Sequence, residues 1–364
     1  MLLRRFGSLA ENWTPLELAD VPTPSPGAHE ILVRVSACGV CHTELDEIEG
    51  RTPPPVLPVI LGHQVIGRVE TAGVGARRFQ NGDRVGIGWI YSACGRCEYC
   101  RTGRENLCPD FRALGRDANG GYAEYMKVHE DFAHPIPAAF TDSQAAPLLC
   151  AGAIGYRSLR LTGIWGLPRR ENSGLSRFPL RKPGGVPEFS GSAPTIGLTG
   201  FGASAHLVLQ MARHRYPDSR VFVFARSEQE QAFARELGAN WAGDTEDKPP
   251  EKLDCIIDTT PVWRPVVAAL ENLKPGGRLV INAIRKEDTD RQTLASLDYP
   301  RALWLEKEIK SVANVTRQDI SEFLKLAAEM NIKPETQEYP LEQANQALTD
   351  LKERRIRGAK VLVV

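Results

Sequence analysis

At 364 residues the chain has room for two domains, each with its own hydrophobic core. Apolar residues make up 42% and charged residues 25%, the proportions of a water-soluble globular protein. With 45 basic and 45 acidic side chains the formal net charge is zero, so no global field points to nucleic acid or an anionic membrane as partner.

The first ten residues carry Arg4 and Arg5 with no apolar run behind them, which does not read as a signal peptide. No stretch of about 18 apolar residues follows anywhere in the chain, so a spanning helix is not expected. A cytoplasmic setting is the resulting expectation. In that reducing compartment, closely spaced cysteines are metal ligands more often than disulfides.

The first 150 or so residues read as short strands, among them Ile31–Val35, Val65–Glu70 and Arg84–Gly88. Pro22–Gly27, Gly73–Gly75 and Asn81-Gly82 punctuate them, a pattern that predicts a small barrel or sandwich. From Ile196 the rhythm changes. Strands are predicted at Ile196–Thr199, Arg220–Ala225, Leu253–Asp258 and Arg278–Ala283, with helices at Ala203–Arg213, Glu228–Leu237 and Val262–Leu273 between them. Strand–helix alternation of this kind predicts a parallel, doubly wound sheet. Amphipathic helices at Asp319–Met330 and Leu341–Glu353 and an apolar strand at Lys360–Val364 close the chain. One segment breaks the pattern: 165–194 is rich in Arg, Gly, Pro and Ser with no usable period, as in a lid, an insertion or an error of the gene model.

Cys94, Cys97, Cys100 and Cys108 stand as C-x2-C-x2-C-x7-C, with Gly95 and Gly103 allowing the loop 94–108 to turn tightly. Four thiolates would fill a zinc tetrahedron completely, so such an ion staples a loop and cannot activate a water. Unrelated thiols, a redox pair and an iron–sulfur cluster are the rival readings of this spacing. Cys41 after the strand near Ile31–Ala37, His63 before Val65, and Cys150 after the apolar run Ala145–Leu149 are single residues with little meaning alone. A lone Cys is usually a small core residue, and a lone His is usually structural. Two thiolates and an imidazole nevertheless leave a fourth position open, the arrangement a catalytic zinc needs. Gly200-Phe201-Gly202-Ala203-Ser204-Ala205 matches G-x-G-x-x-(G/A) after a strand and before a helix, so Gly200, Gly202 and Ala205 are candidate dinucleotide-binding positions. The next strand ends in Arg226-Ser227 where an acid would favour NAD. Arginine and serine there suit a 2′-phosphate and favour NADP, unless Arg226 is only a solvated charge.

CGVCHTE, LGHQVIGRVE, the four-cysteine loop and LLCAG ahead of the glycine-rich turn together resemble the zinc-containing medium-chain alcohol dehydrogenases over nearly the whole chain except 165–194. The resemblance implies a GroES-like β-barrel catalytic domain (1–154) and a Rossmann cofactor-binding domain (155–298). A C-terminal return to the catalytic domain would occupy 299–364. It implies a catalytic zinc on Cys41, His63 and Cys150 and a structural zinc on the four-cysteine loop, two ions per chain. Thr43 would take the substrate proton, Glu44 would fix His63, and His42 would lie near the cofactor pyrophosphate. Trp89 would line the substrate pocket, and Arg357 in RIRG would reach a cofactor phosphate. The activity implied is hydride transfer between an alcohol, aldehyde or ketone and NADP or NAD, in a homodimer or homotetramer. Three positions depart from the family pattern: Glu44 for Asp, Gln64 for Glu, and Asp46 for the relay His. Gln64 cannot serve as an anionic fourth ligand, and Asp46 could pass a proton to water or leave a shorter relay. The long connection from Cys150 to Gly200 raises an alternative, a catalytically impaired dinucleotide-binding relative that keeps the stapled fold. Cys38 and Cys255 read as core residues, and His206 carries no functional assignment.

Overall fold

The computed structural model describes residues 1–11, 13–164, 193–202, 204–353 and 358–364. The stretch 165–194 therefore lies outside the described residues except for its last two, and so does Arg357. The chain divides into two compact units, one of Met1–Ala153 with Asn314–Val364, the other of Ile154–Ala313.

In the first unit the strand Glu30–Val40 organises a seven-stranded sheet. One edge of it pairs antiparallel with Val65–Ala72. The other edge is shared: its first half pairs with Tyr125–His129 and its second half with Ala359–Val363. Register shifts near Leu32 and Ser36 let the strand bend so that both neighbours fit. Arg84–Ile87 and Ala133–Pro135 extend the sheet on one side, and Thr336–Pro340 adds to Ala359–Val363 on the other. Ile31, Val33, Val35, Val65, Val85, Ile87 and Tyr122 are buried together beneath it.

The second unit is a six-stranded parallel sheet ordered Trp241–Gly243, Arg220–Phe224, Thr195–Thr199, Leu253–Asp258, Leu273–Ile281, Glu308–Ser311. That order reverses between the first and fourth strands in sequence, the switch point at which doubly wound sheets bind their ligands. Several predicted bounds change. The helix predicted at Val262–Leu273 is Arg264–Glu271, and the strand after it begins at Leu273 with a register shift before Cys255–Arg278. Residues 299–313, expected with the C-terminal return, lie in the second unit, where Glu308–Ser311 forms the edge strand. The predicted helix at Leu341–Glu353 splits into a 3-10 turn at Leu341–Gln343 and an α-helix at Ala344–Lys352. Among the described residues no helix is long and apolar enough to cross a membrane.

Candidate metal centres and dinucleotide turn

Cys41 ends the strand Glu30–Val40 and caps the helix His42–Ile48. The Thr43 N–H donates to Cys41 Sγ at 3.3 Å, and the Cys41 N–H donates to Glu44 Oε2 at 2.8 Å, so the thiol is fixed by the helix start itself. His63 enters from the turn before Val65–Ala72. Gly62 makes that turn with φ +98°, and a Cβ on it would lie 2.5 Å from the Tyr122 ring, so only glycine fits. His63 Nδ1 lies 2.7 Å from Glu44 Oε1, and both side chains are buried. Its Nε2 therefore faces the two sulfurs, 3.6 Å from Cys41 and 3.4 Å from Cys150. The three donor atoms lie within 4.8 Å of one another.

This donor set fits zinc: two soft sulfurs and one imidazole nitrogen of fixed orientation are three of the four donors a tetrahedral ion takes. The local electrostatics fit it too. The contact with Cys150 and burial, together with the charge of Glu44, push the Cys41 thiol well above its usual range. Burial lowers the basicity of His63, yet Glu44 and Cys41 outweigh it and hold its pKa well above 6.5. A divalent cation inverts both trends by stabilising thiolate and neutral imidazole together. Trp89 is buried with its ring edge-on to His63, centroids 4.8 Å apart.

The four predicted loop cysteines also converge, all donor atoms within 4.8 Å. Backbone N–H groups point at the sulfurs: Cys97 N donates to Cys94 Sγ at 3.4 Å, Cys100 N to Cys97 Sγ at 3.5 Å, and Cys94 N to Cys108 Sγ at 3.4 Å. Donors from Arg96 and Cys97 bring the Cys94 thiol down to about 6, whereas burial takes Cys100 up to about 12. Four thiols within one loop suit a closed tetrahedral ion.

In the second unit Gly200 follows the strand Thr195–Thr199 with φ +77°, and a Cβ there would stand 2.8 Å from Thr259 Oγ1. Among the described residues a Cβ on Gly202 would meet nothing within 4 Å. Ala205 begins the helix Ala205–Arg215. Asn282, at the end of the strand Leu273–Ile281, donates from Nδ2 to Ser204 Oγ at 3.2 Å. Arg226 is exposed, and Ser227 caps the helix Glu228–Glu236 by accepting from the Glu230 N–H at 3.1 Å.

A family model described as "Alcohol dehydrogenase GroES-like domain" matches residues 27–138, and one described as "Zinc-binding dehydrogenase" matches 205–329. The chain is 42% identical to a "Probable alcohol dehydrogenase AdhA" of Mycobacterium tuberculosis (strain CDC 1551 / Oshkosh), covering 96% of this chain and 93% of that protein. The chain belongs to the zinc-containing medium-chain alcohol dehydrogenases. An alcohol dehydrogenase of Geobacillus stearothermophilus is 31% identical over 96% of each chain. Among solved structures, AibC superposes with a TM-score of 0.82 at 25% identity, over 100% of this chain and 94% of that one.

Within this alcohol dehydrogenase, the departures at 44, 46 and 64 have distinct surroundings. Glu44 bridges Cys41 and His63, as described above. Gln64 is buried, with its amide against Gly39, where a Cβ would lie 2.6 Å from Oε1. Asp46 is buried and accepts from Arg51 Nε at 2.5 Å. His42 is exposed and Thr43 half-buried. Cys38 and Cys255 are buried core residues, as expected, and the His206 ring packs near Phe233. With both ligand sets assembled, no observation among the described residues favours the catalytically impaired alternative.

Sequence reasoning missed the buried polar row at the carboxyl ends of the second sheet. Asp258 Oδ1 accepts from the hydroxyls of Thr199 and Thr260, both at 2.7 Å, and Lys286 Nζ donates to Asp258 Oδ2 at 2.5 Å. Thr259 Oγ1 donates to the Thr199 carbonyl at 3.0 Å, directly behind Gly200. Polar residues at three successive strand ends were the available signal: Thr199, Asp258 and Asn282.

Proposed function

We propose that the chain moves a hydride between an alcohol, or the matching aldehyde or ketone, and a nicotinamide dinucleotide, with Cys41, His63 and Cys150 holding a catalytic zinc. The observation that carries this reading is the convergence of those three donors within 4.8 Å of one another. Zinc there supplies Lewis acidity to the substrate oxygen, and the nicotinamide takes or gives the hydride. The chain's own residues do the rest. Glu44 occupies His63 Nδ1 and leaves Nε2 for the metal. Thr43, held at the first turn beside Cys41, takes the substrate proton. Trp89 backs the imidazole and walls the substrate side.

In the same reading Cys94, Cys97, Cys100 and Cys108 hold a second, structural zinc, giving two ions per chain. The first unit is the catalytic domain and the second binds the cofactor through Gly200, Gly202 and Ala205. Arg226 supports NADP over NAD, because an exposed guanidinium after the second strand can pair with a 2′-phosphate. The Ser227 oxygen caps a helix by accepting, which leaves its O–H to donate to the same phosphate.

Initial rates with a panel of primary and secondary alcohols, followed by absorbance of the reduced nicotinamide, test both parts. Turnover with a higher kcat/KM for NADP than for NAD is expected. Equal or greater efficiency with NAD would overturn the cofactor assignment. Undiminished turnover in Cys41→Ser protein would overturn the site.

A further inference from the structure

We propose that Glu105 is a positioning residue that couples the four-thiol loop to Cys150, the third ligand of the mixed site, through the helix Arg317–Glu329. The inference rests on reading both ligand sets as zinc sites. Glu105 stands in a 3-10 turn, Glu105–Leu107, between Cys100 and Cys108, so an ion on the loop fixes its backbone from both sides. Its side chain leaves the loop and is only 2% exposed. Oε1 accepts from the backbone N–H of Arg317 at 2.8 Å and from Arg317 Nε at 3.2 Å. Arg317 is the first residue of its helix.

That helix does not need Glu105 in order to begin. Thr316 and Asp319 already form a reciprocal cap, with Asp319 N donating to Thr316 Oγ1 at 3.2 Å and Thr316 N to Asp319 Oδ2 at 2.9 Å. A second, buried carboxylate at the same end costs desolvation that a redundant cap would not justify. Its distinct consequence is to dock the helix against the loop.

The same helix backs Cys150. One turn on, Ile320 fills the space beside Gly88: a Cβ on Gly88 would lie 2.7 Å from Ile320 Cδ1 and 3.3 Å from the Leu149 carbonyl. The next turn sets the Phe323 ring on Gly152, where a Cβ would lie 2.2 Å from it. Leu149 and Gly152 bracket Cys150. Ser321, between the two, is held to His134 Nδ1 at 2.9 Å, which fixes the rotation of the helix. With no room for a side chain at Gly88 or Gly152, the helix lies directly on this backbone, so a displacement at Arg317 is passed to the segment that carries the thiol.

The test is the rate at which zinc leaves the loaded protein for a chromophoric chelator, with the mixed-site phase identified by its absence in Cys41→Ser protein. Glu105→Ala is expected to speed that phase roughly tenfold or more, the range found when a group that orients a metal ligand is lost. Glu105→Gln keeps the Oε1 acceptor and is expected to restore most of the slow release, which a generic loss of stability would not do. If Glu105→Ala fails to fold, Arg317→Ala carries the same prediction at smaller amplitude, since the backbone donor remains. An unchanged mixed-site phase in folded Glu105→Ala or Arg317→Ala protein, or a Gln variant as fast as Ala, overturns the coupling alone. A wild-type protein that releases one ion, in a phase that persists in Cys41→Ser, overturns the zinc reading of the mixed site and the coupling with it.

Discussion

Alanine at His63 is expected to lower kcat/KM for alcohol oxidation roughly 1,000-fold or more, about 4 kcal/mol of transition-state stabilisation. The imidazole is the only nitrogen donor in the mixed set, and its Nε2 faces both sulfurs. The same substitution has a second effect. Glu44 is fully buried, and without His63 its Oε1 loses the group 2.7 Å away while Oε2 keeps the Cys41 N–H. A buried carboxylate stripped of its partner destabilises the fold around it, so the variant should also melt at a lower temperature. The two effects separate in the double variant His63→Ala/Glu44→Gln, which removes the stranded charge but keeps an acceptor for Cys41. It should recover stability and remain inactive. Steady-state rates beside circular-dichroism melts make the comparison. Activity within tenfold of wild type in the single variant, or activity regained in the double, would contradict the assignment of His63 as a ligand.

Methionine at Lys286 should destabilise the second unit by about 3–5 kcal/mol, the cost of breaking a buried ion pair from one side. Lys286 Nζ donates to Asp258 Oδ2 and to the carbonyls of Thr260 and Val262, at 2.7 and 3.0 Å for the latter two. Asp258 has no exposed surface, and its carboxylate would then keep the Thr199 and Thr260 hydroxyls and the Thr260 N–H but lose its counter-charge. The expected fall in melting temperature is on the order of 10 °C for a unit of this size. Cofactor affinity should fall in parallel, because Thr199 and Thr259 form the wall behind the Gly200 turn. Adding Asp258→Asn to Lys286→Met should return part of the stability. A Lys286→Met protein with wild-type melting temperature would show that the pair is not the anchor described here.

What the sequence made legible follows the range of the interactions involved. The four-cysteine loop is local, and its spacing alone brings the thiols together. The alternation of strands and helices after Ile196 also survives, because central strands such as Leu253–Asp258 are buried at every position and are mostly apolar. The edge strand Glu308–Ser311 is exposed throughout and has no such signal, so the extension of the second unit from 299 to Ala313 is not legible in the sequence. The start of the helix Arg264–Glu271, two residues after the expected Val262, escapes the sequence for a different reason. Its free N–H groups at Trp263 and Arg264 donate to Asp290, a cap that no local window contains. The mixed site lies between these extremes. Cys41, His63 and Cys150 came from family resemblance, since their meeting depends on a long strand, a glycine turn and an apolar segment far apart in the chain. The ion pairs Asp46–Arg51 and Glu105–Arg317 give no usable sign in the sequence, and the second joins residues 212 positions apart.

Turnover is proposed to depend on a metal held by Cys41, His63 and Cys150. Zinc content and the rate of alcohol oxidation should be measured on the same preparation before chelation, after it, and after zinc is returned. Two zinc ions per chain are predicted at the start, with the rate lost as the mixed site empties and regained when zinc is restored. A full rate in protein shown to be free of metal would contradict the account.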